Sequence, residues 1–254
     1  MKKCILITHQ FILPDSSMQR QYLPASKHGE SWKHKVFDFC VKHYKKHNPD
    51  TYIIITGHGS KPLDSTLELA DWYYWPEEIV EGEINVGHPK LITKGLEHAK
   101  EMGIEYVCKT RIDTVNLIPN ITDYCHKALE DSGKVLLNTH YYDWNYQLMD
   151  LFMYSKVDVQ LKLFNPNKWS VSWVKDGTGP VAKNLIEDVN GDELQIPYDK
   201  NFWIESLNKS VLFMSPRDLK WLDFRDNHSQ LTWKLSENIM NNDLENFETF
   251  LWRH

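Results

Sequence analysis

The sequence is short of the features that mark many protein classes at sight. It has four cysteines, at positions 4, 40, 108 and 125, and none stands in a CxxC pair or at zinc-knuckle spacing, which excludes a thiol redox motif and a small zinc module. Cys4 and Cys108 lie within apolar runs, where a thiol behaves as a small hydrophobe. All four read as reduced, as expected of a cytoplasmic protein. Twelve histidines include no HExxH or HxH pair, so a histidine-held metal finds no support. There is no GxSxG elbow and no GxGxxG fingerprint, which removes the support for a serine hydrolase or a dinucleotide oxidoreductase. No stretch is basic enough for duplex nucleic acid: net charge is −6, the pI is about 6.0, and phosphate backbones demand clustered Lys and Arg. No apolar run approaches the roughly 20 residues of a membrane-spanning helix. The run after Met1-Lys2-Lys3 is too short for a signal peptide and meets His9 and Gln10 at once, so the chain is expected to start directly with its fold.

What remains is an ordinary globular balance, 41% hydrophobic and 25% charged over 254 residues, long enough for one large α/β domain spanning 1–254. Ten Trp and twelve Tyr suit core packing and also stacking on sugars or bases. Lys3–Thr8 and Thr51–Thr56 read as buried strands. Between them Trp32, Val36, Cys40 and Tyr44 repeat every four residues and predict a helix over 31–47. Segment 62–86 is irregular, with an aromatic cluster at 72–75. A helix is expected from about His88 to Met102, with Leu91, Gly95, His98 or Ala99, and Met102 on one face. Pro89 stands in its first turn and Gly103 ends it. Ile104–Lys109 reads as a third strand. A helix opening at Pro119 and closing near Gly133 follows, with Ile121, Tyr124 or Cys125, and Ala128 inward. Lys134–Thr139 reads as a fourth strand and Met149–Tyr154 as a fifth. Ser155 and Asp158 resemble a capping box before a short helix to Phe164. Residues 165–200 read mostly as loop, Val211–Met214 as a sixth strand, and 229–252 as helical. Alternating strand and helix imply a mainly parallel sheet flanked by helices, with ligands beyond the carboxyl ends of its strands.

The sharpest local feature is the end of the third strand, where Lys109, Arg111 and Asp113 follow Tyr106-Val107-Cys108 within a few residues. A carboxylate holds a hard divalent cation. Arg and Lys neutralise phosphate oxygens, one as a bidentate fork and the other as a point charge. Together they suit the stabilisation of a leaving diphosphate. The same charges would also suit the opening of a surface loop, and local spacing leaves both readings open. Gly57-His58-Gly59 reads better as a tight turn than as a phosphate cradle.

The wider segment 84–113, with Asn85, Thr93, Gly95, Leu96, Lys109, Arg111 and Asp113, resembles the WavE-like family of polysaccharide-synthesis glycosyltransferases. That resemblance covers roughly residues 1–165. It implies a GT-A-like, Rossmann-type fold, with Asp113 in the place of the metal-binding acidic motif and Arg111 replacing its usual first carboxylate. It implies that Asn85, Lys94, Lys109 and Arg111 bind the nucleotide sugar, that Asp113 holds Mn²⁺ or Mg²⁺, and that Asp150 lines the site. By fold analogy Thr8, His9 and Gln10 lie near the nucleotide base. An acid of the last third, Glu193, Asp199 or Glu205, competes with Asp150 as the general base toward the acceptor. The expected activity is transfer of a sugar from a UDP- or GDP-sugar to a glycan hydroxyl, with 1–165 holding the donor and 166–254 the acceptor. The alternatives are a sugar nucleotidyltransferase and a non-catalytic carbohydrate-binding protein of the same fold. A nucleotidyltransferase should carry a Gly-rich loop after the first strand, and here that loop has Arg20 but no Gly.

Overall fold

In a computed structural model of the protein, the described residues are 1–10, 24–59, 61–76, 87–112, 114–139, 148, 151–169, 179–194, 199–215 and 218–223. Asn85, Asp113, Asp150 and the 229–252 segment lie outside them.

The short aliphatic runs form strands buried on both faces, as expected where helices cover a sheet twice over. In chain order the elements are β1 (Lys3–Gln10), α1 (Pro24–His47), β2 (Tyr52–His58), α2 (Asp64–Leu67), β3 (Trp72–Tyr74), α3 (Gly87–Glu101), β4 (Tyr106–Arg111), β5 (Thr114–Asn116), α4 (Ile121–Ser132), β6 (Leu136–Thr139), β7 (Phe152–Lys156) and α5 (Val157–Leu163). A short helix α6 (Pro180–Asn184) then runs into a π-helical turn at Leu185–Val189, followed by α7 (Lys200–Ser210), β8 (Val211–Met214) and β9 (Trp221–Asp223).

Seven strands form one sheet in the order β3-β2-β1-β4-β7-β6-β8. All run parallel except β7, which is antiparallel to both β4 and β6. This is the expected Rossmann-type, mixed and mostly parallel sheet flanked by helices. β5 and β9 pair antiparallel as a separate two-stranded sheet.

Two apolar clusters cover the faces. One joins Ile5, Ile7, Ile53, Ile55 and Cys108 to Val36, Phe37, Cys40 and Tyr44 of α1 and to Ile121, Cys125 and Leu129 of α4. The other joins Cys4, Leu6, Ile54 and Val107 to Ile92, Leu96 and Ala99 of α3, to Val157 and Leu163 of α5, and to Trp203 of α7. Val36, Cys40 and Tyr44 of the predicted α1 face are therefore buried, and the helix begins at Pro24, ahead of the expected start at 31. All four cysteines are free thiols inside this packing.

Two glycines are fixed by close approach. A Cβ on Gly95 of α3 would stand 2.5 Å from Leu6 Cδ1 and 3.1 Å from Thr56 Cγ2, and one on Gly57 would fall within 3.0 Å of three carbons of the Trp75 indole. Gly57 and His58 belong to β2, so the strand runs further than its aliphatic core, and the positive φ falls on Gly59, at 88°.

Several expectations need correction. Met102 is 43% exposed and falls just past α3; of the alternatives left open in the two helices, Ala99 and Cys125 are the inward ones. No side chain caps α5, because Ser155 is still in β7 and its hydroxyl donates to Lys156 O. Part of the expected 165–200 loop is helical, at 166–168 and 180–189. β3, β5 and β9 are three-residue strands, too short to leave a period in the sequence.

Candidate functional site

The carboxyl ends of β2, β1 and β4 lie side by side. Thr8 pairs in register with Arg111 and with Thr56, His9 with Gly57, and Gln10 with His58. β7 runs the other way, so its first residue, Phe152, lies opposite Thr110. The end of β4 and the start of β7 thus meet at one edge of the sheet, a consequence of strand direction that local sequence does not reveal.

Alternation along β4 sorts its side chains. Val107 joins the α3-side cluster and Cys108 the α1-side cluster. By the two-residue period of a strand, Lys109 and Arg111 follow Val107, and Thr110 follows Cys108. Lys109 is fully buried, with Nζ 5.6 Å from the centroid of the Phe164 ring. It is part of the strand rather than of an exposed loop, and an aromatic face is a favourable place for a buried ammonium. Arg111, the last residue of β4, is half-buried.

Thr110 enters a buried polar network that sequence reasoning missed. Its Oγ1 lies 3.0 Å from Thr114 Oγ1 and 3.3 Å from the Tyr44 hydroxyl. The Tyr44 hydroxyl donates to Asn116 Oδ1 at 3.0 Å and accepts from the Asn116 backbone N–H at 3.2 Å. His43 Nε2 donates to Asn116 O at 3.1 Å, and Asn116 Nδ2 to Leu219 O at 3.4 Å. Thr114 Oγ1 also lies 3.3 Å from Arg111 O. Thr110, Thr114, Asn116 and Tyr44 are each at most 1% exposed. Burial, reinforced by the His47 and Lys46 charges and opposed by the Asn116 carbonyl, pushes His43 down to about 4. Burial likewise raises Tyr44 well above its ordinary value. Both are thus neutral at physiological pH. The available signal was the pair of threonines four residues apart across Arg111-Ile112-Asp113.

The other expected residues are placed as follows. Thr8 is fully buried and its Oγ1 donates to Thr110 O at 3.3 Å, so this hydroxyl joins β1 to β4. His9 and Gln10 extend β1 past Thr8. Lys94 is exposed on α3 beside Gly95. Asp199 is exposed and caps α7, accepting from Asn201 N at 2.8 Å. Glu193 and Glu205 are exposed and lie toward the opposite edge. Asp192, next to Glu193, pairs with Lys209 at 2.9 Å, and Glu205 stands about one and a half turns before the end of α7. That end leads into β8 level with the start of β6. The structure therefore gathers the backbones of Thr8, His9, Gln10 and Arg111 at one edge and leaves Glu193 and Glu205 elsewhere.

Among the described residues no group of three His, Cys, Asp or Glu side chains could hold a metal ion. Thr110 and Thr114, which flank Arg111 and Asp113, already spend their hydroxyls on the network. The described residues around the end of β4 thus offer no complete donor set for a metal ion. No helix among them is long and apolar enough to cross a membrane.

No protein-family model matches the chain, and no curated protein does. Among solved structures, it is similar to a glycosyltransferase involved in the glycosylation of the major capsid of PBCV-1, with 12% identity, a TM-score of 0.48, and coverage of 94% of this chain and 98% of that one. It is similar to a nucleoside-diphosphate-sugar pyrophosphorylase from Vibrio cholerae RC9, with 12% identity, a TM-score of 0.48, and coverage of 90% and 98%. It is also similar to a cytidylyltransferase from Leptospira borgpetersenii serovar Hardjo-bovis (strain JB197), with 13% identity, a TM-score of 0.40, and coverage of 70% and 71%. These neighbours include both a glycosyltransferase and nucleotidyltransferases, and at such identities and scores the activity of this chain rests on its own residues.

Proposed function

We propose that the chain is a glycosyltransferase of GT-A type, related to the WavE-like polysaccharide-synthesis enzymes. It would move a sugar from a UDP- or GDP-sugar to a hydroxyl of a glycan acceptor in the cytoplasm. The observation that carries this reading is Arg111 at the carboxyl end of β4, in register with Thr8 of the central strand β1. That is the edge of a parallel α/β sheet where ligands bind. The resemblance of segment 84–113 supplies the class of ligand.

In this reading the Arg111 guanidinium forks onto the oxygens of the departing diphosphate and stabilises the charge that grows as the sugar leaves. His9 and Gln10, at the end of β1, line the nucleotide side, and Asn85 belongs with them. Lys109 contributes positive potential from beneath the edge rather than by direct contact. A divalent ion, Mn²⁺ or Mg²⁺, on Asp113 would supply further charge neutralisation. Among the four candidate bases Asp150 is favoured, because it stands two residues before Phe152, which lies opposite Thr110. Its carboxylate would take the proton of the acceptor hydroxyl. Asp199 is already engaged as a helix cap.

The test is turnover of UDP- and GDP-sugars by the purified protein, with and without EDTA, for wild type and Asp113→Ala. The expected result is release of the nucleoside diphosphate, reduced in the variant. Release of pyrophosphate when the protein is instead given a nucleoside triphosphate and a sugar 1-phosphate, with no turnover of nucleotide sugars, would turn the assignment to a nucleotidyltransferase. Glycan binding indifferent to nucleotide, with no turnover, would reduce the protein to a carbohydrate-binding module.

A further inference from the structure

β4 and β5 are joined by a connection that carries Arg111 at its start and is two residues long, 112–113. Both of its ends are tied beneath the surface. Thr110 and Thr114 face each other with their hydroxyls 3.0 Å apart, and Thr114 Oγ1 also reaches Arg111 O. Thr110 in turn meets the Tyr44 hydroxyl, and the Tyr44–Asn116 pair joins α1 to β5, so Thr114 reaches that pair through Thr110. Ile112 is 2% exposed and packs in the α1-side core. A buried polar network whose members satisfy one another holds a single geometry, because any alternative leaves unpaired groups in a low dielectric.

We propose that Tyr44, Thr110, Thr114 and Asn116 are positioning residues that fix the β4–β5 connection, and with it Arg111, in the orientation that sugar transfer requires. This rests on the proposed glycosyltransferase reading. The network lies on the α1 face of β4, and by the two-residue period of the strand Arg111 belongs to the opposite face with Val107. The network's effect is on orientation, to which transition-state stabilisation is more sensitive than donor binding.

The test compares three variants of the full chain well below their melting temperatures. Thr114→Val removes the hydroxyl and keeps the shape, Thr114→Ser keeps the hydroxyl, and Cys125→Ala thins the same core outside the network. Two readouts are taken: kcat and KM for hydrolysis of UDP- or GDP-sugar, and hydrogen exchange of the peptide spanning 110–115. The expected result for Thr114→Val is a fall in kcat of about 10-fold or more, a donor KM within about 3-fold of wild type, and faster exchange of that peptide. Thr114→Ser should retain wild-type kcat, and Cys125→Ala should change stability alone. Tyr44→Phe should reproduce Thr114→Val.

If Thr114→Val exchanges like wild type, or if its kcat falls no further than that of Cys125→Ala, the positioning role is wrong. If wild type neither binds nor turns over any nucleotide sugar, the glycosyltransferase reading fails separately. The exchange measurement still decides whether the network holds the connection.

Discussion

The two faces of the central sheet follow different rules, and β4 shows the difference within a single strand. On the α1 face, the aliphatic core gives way at the carboxyl edge to hydroxyls and an amide that satisfy one another, with Tyr44 at the centre. On the α3 face, the same edge carries cations: Lys109 is sunk over Phe164 and Arg111 is half-buried at the rim. In the sequence, Lys109-Thr110-Arg111 looks like one polar cluster. The strand divides it into an anchor on one side and charge on the other. Lys109, Thr110 and Arg111 are in this protein the last three residues of a strand.

The comparison is broken most directly by removing the charge at the rim. Arg111→Ala should lower kcat/KM for nucleotide-sugar hydrolysis by about 100-fold or more, as expected for loss of a group aimed at developing charge. Arg111→Lys should recover only part of it, because a point charge does not replace a planar fork. Thermal melting should barely move, so an Arg111→Ala protein that melts early would assign the residue to structure.

The anchor side predicts a pH effect of known sign. His43 is 6% exposed, and burial brings it from 6.5 to about 4. Between those values the unfolded chain binds the proton and the folded one does not, so stability falls as pH drops from 6.5 toward 4. The contribution is no more than about 3 kcal/mol. His43→Gln keeps a donor for the Asn116 carbonyl, and its denaturant-derived stability should vary less over that window. A slope equal to that of wild type would refute the assignment.

The two close-packed glycines sharpen the contrast between the faces with smaller effects. Gly57→Ala drives a methyl into the Trp75 indole, which also donates to Gly59 O at 3.2 Å. It should cost about 2 kcal/mol, or roughly 4–8 °C in Tm for a chain of this size. Gly95→Ala meets the tip of Leu6, which can rotate, and gains about 1 kcal/mol of helix propensity. Its net effect should stay within about 1 kcal/mol. A Gly95→Ala protein less stable than Gly57→Ala would show the α3 face to be the stiffer one.

Much of the sheet was legible in the sequence because its strands are aliphatic runs and its first helices repeat their apolar residues at helical spacing. Val211–Met214 was read to the residue, and Gly133 closes α4 with φ 64°, as a glycine after the last helical turn should. The three-residue strands were not legible, since two or three side chains carry no period. The capping-box reading at Ser155 and Asp158 missed because β7 claims Ser155 for its ladder with Val107, and strand pairing outweighs a local cap. At the site, the carboxyl-edge position of Arg111 followed from one rule about strand ends. The burial of Lys109 and the separation of Glu193 and Glu205 from that edge did not, because each depends on residues more than forty positions away.

The sequence by itself determined the α/β alternation, the buried faces of α1 and α3, and the presence of charge where β4 ends. Local propensity and apolar period fix those at short range. Only the tertiary structure decided that β7 runs antiparallel, so that its start meets the end of β4, and that a tyrosine from α1 reaches Asn116 and Thr110. Strand direction and long-range hydrogen bonds are settled by which distant groups can be satisfied together, and no window of neighbouring residues contains that information.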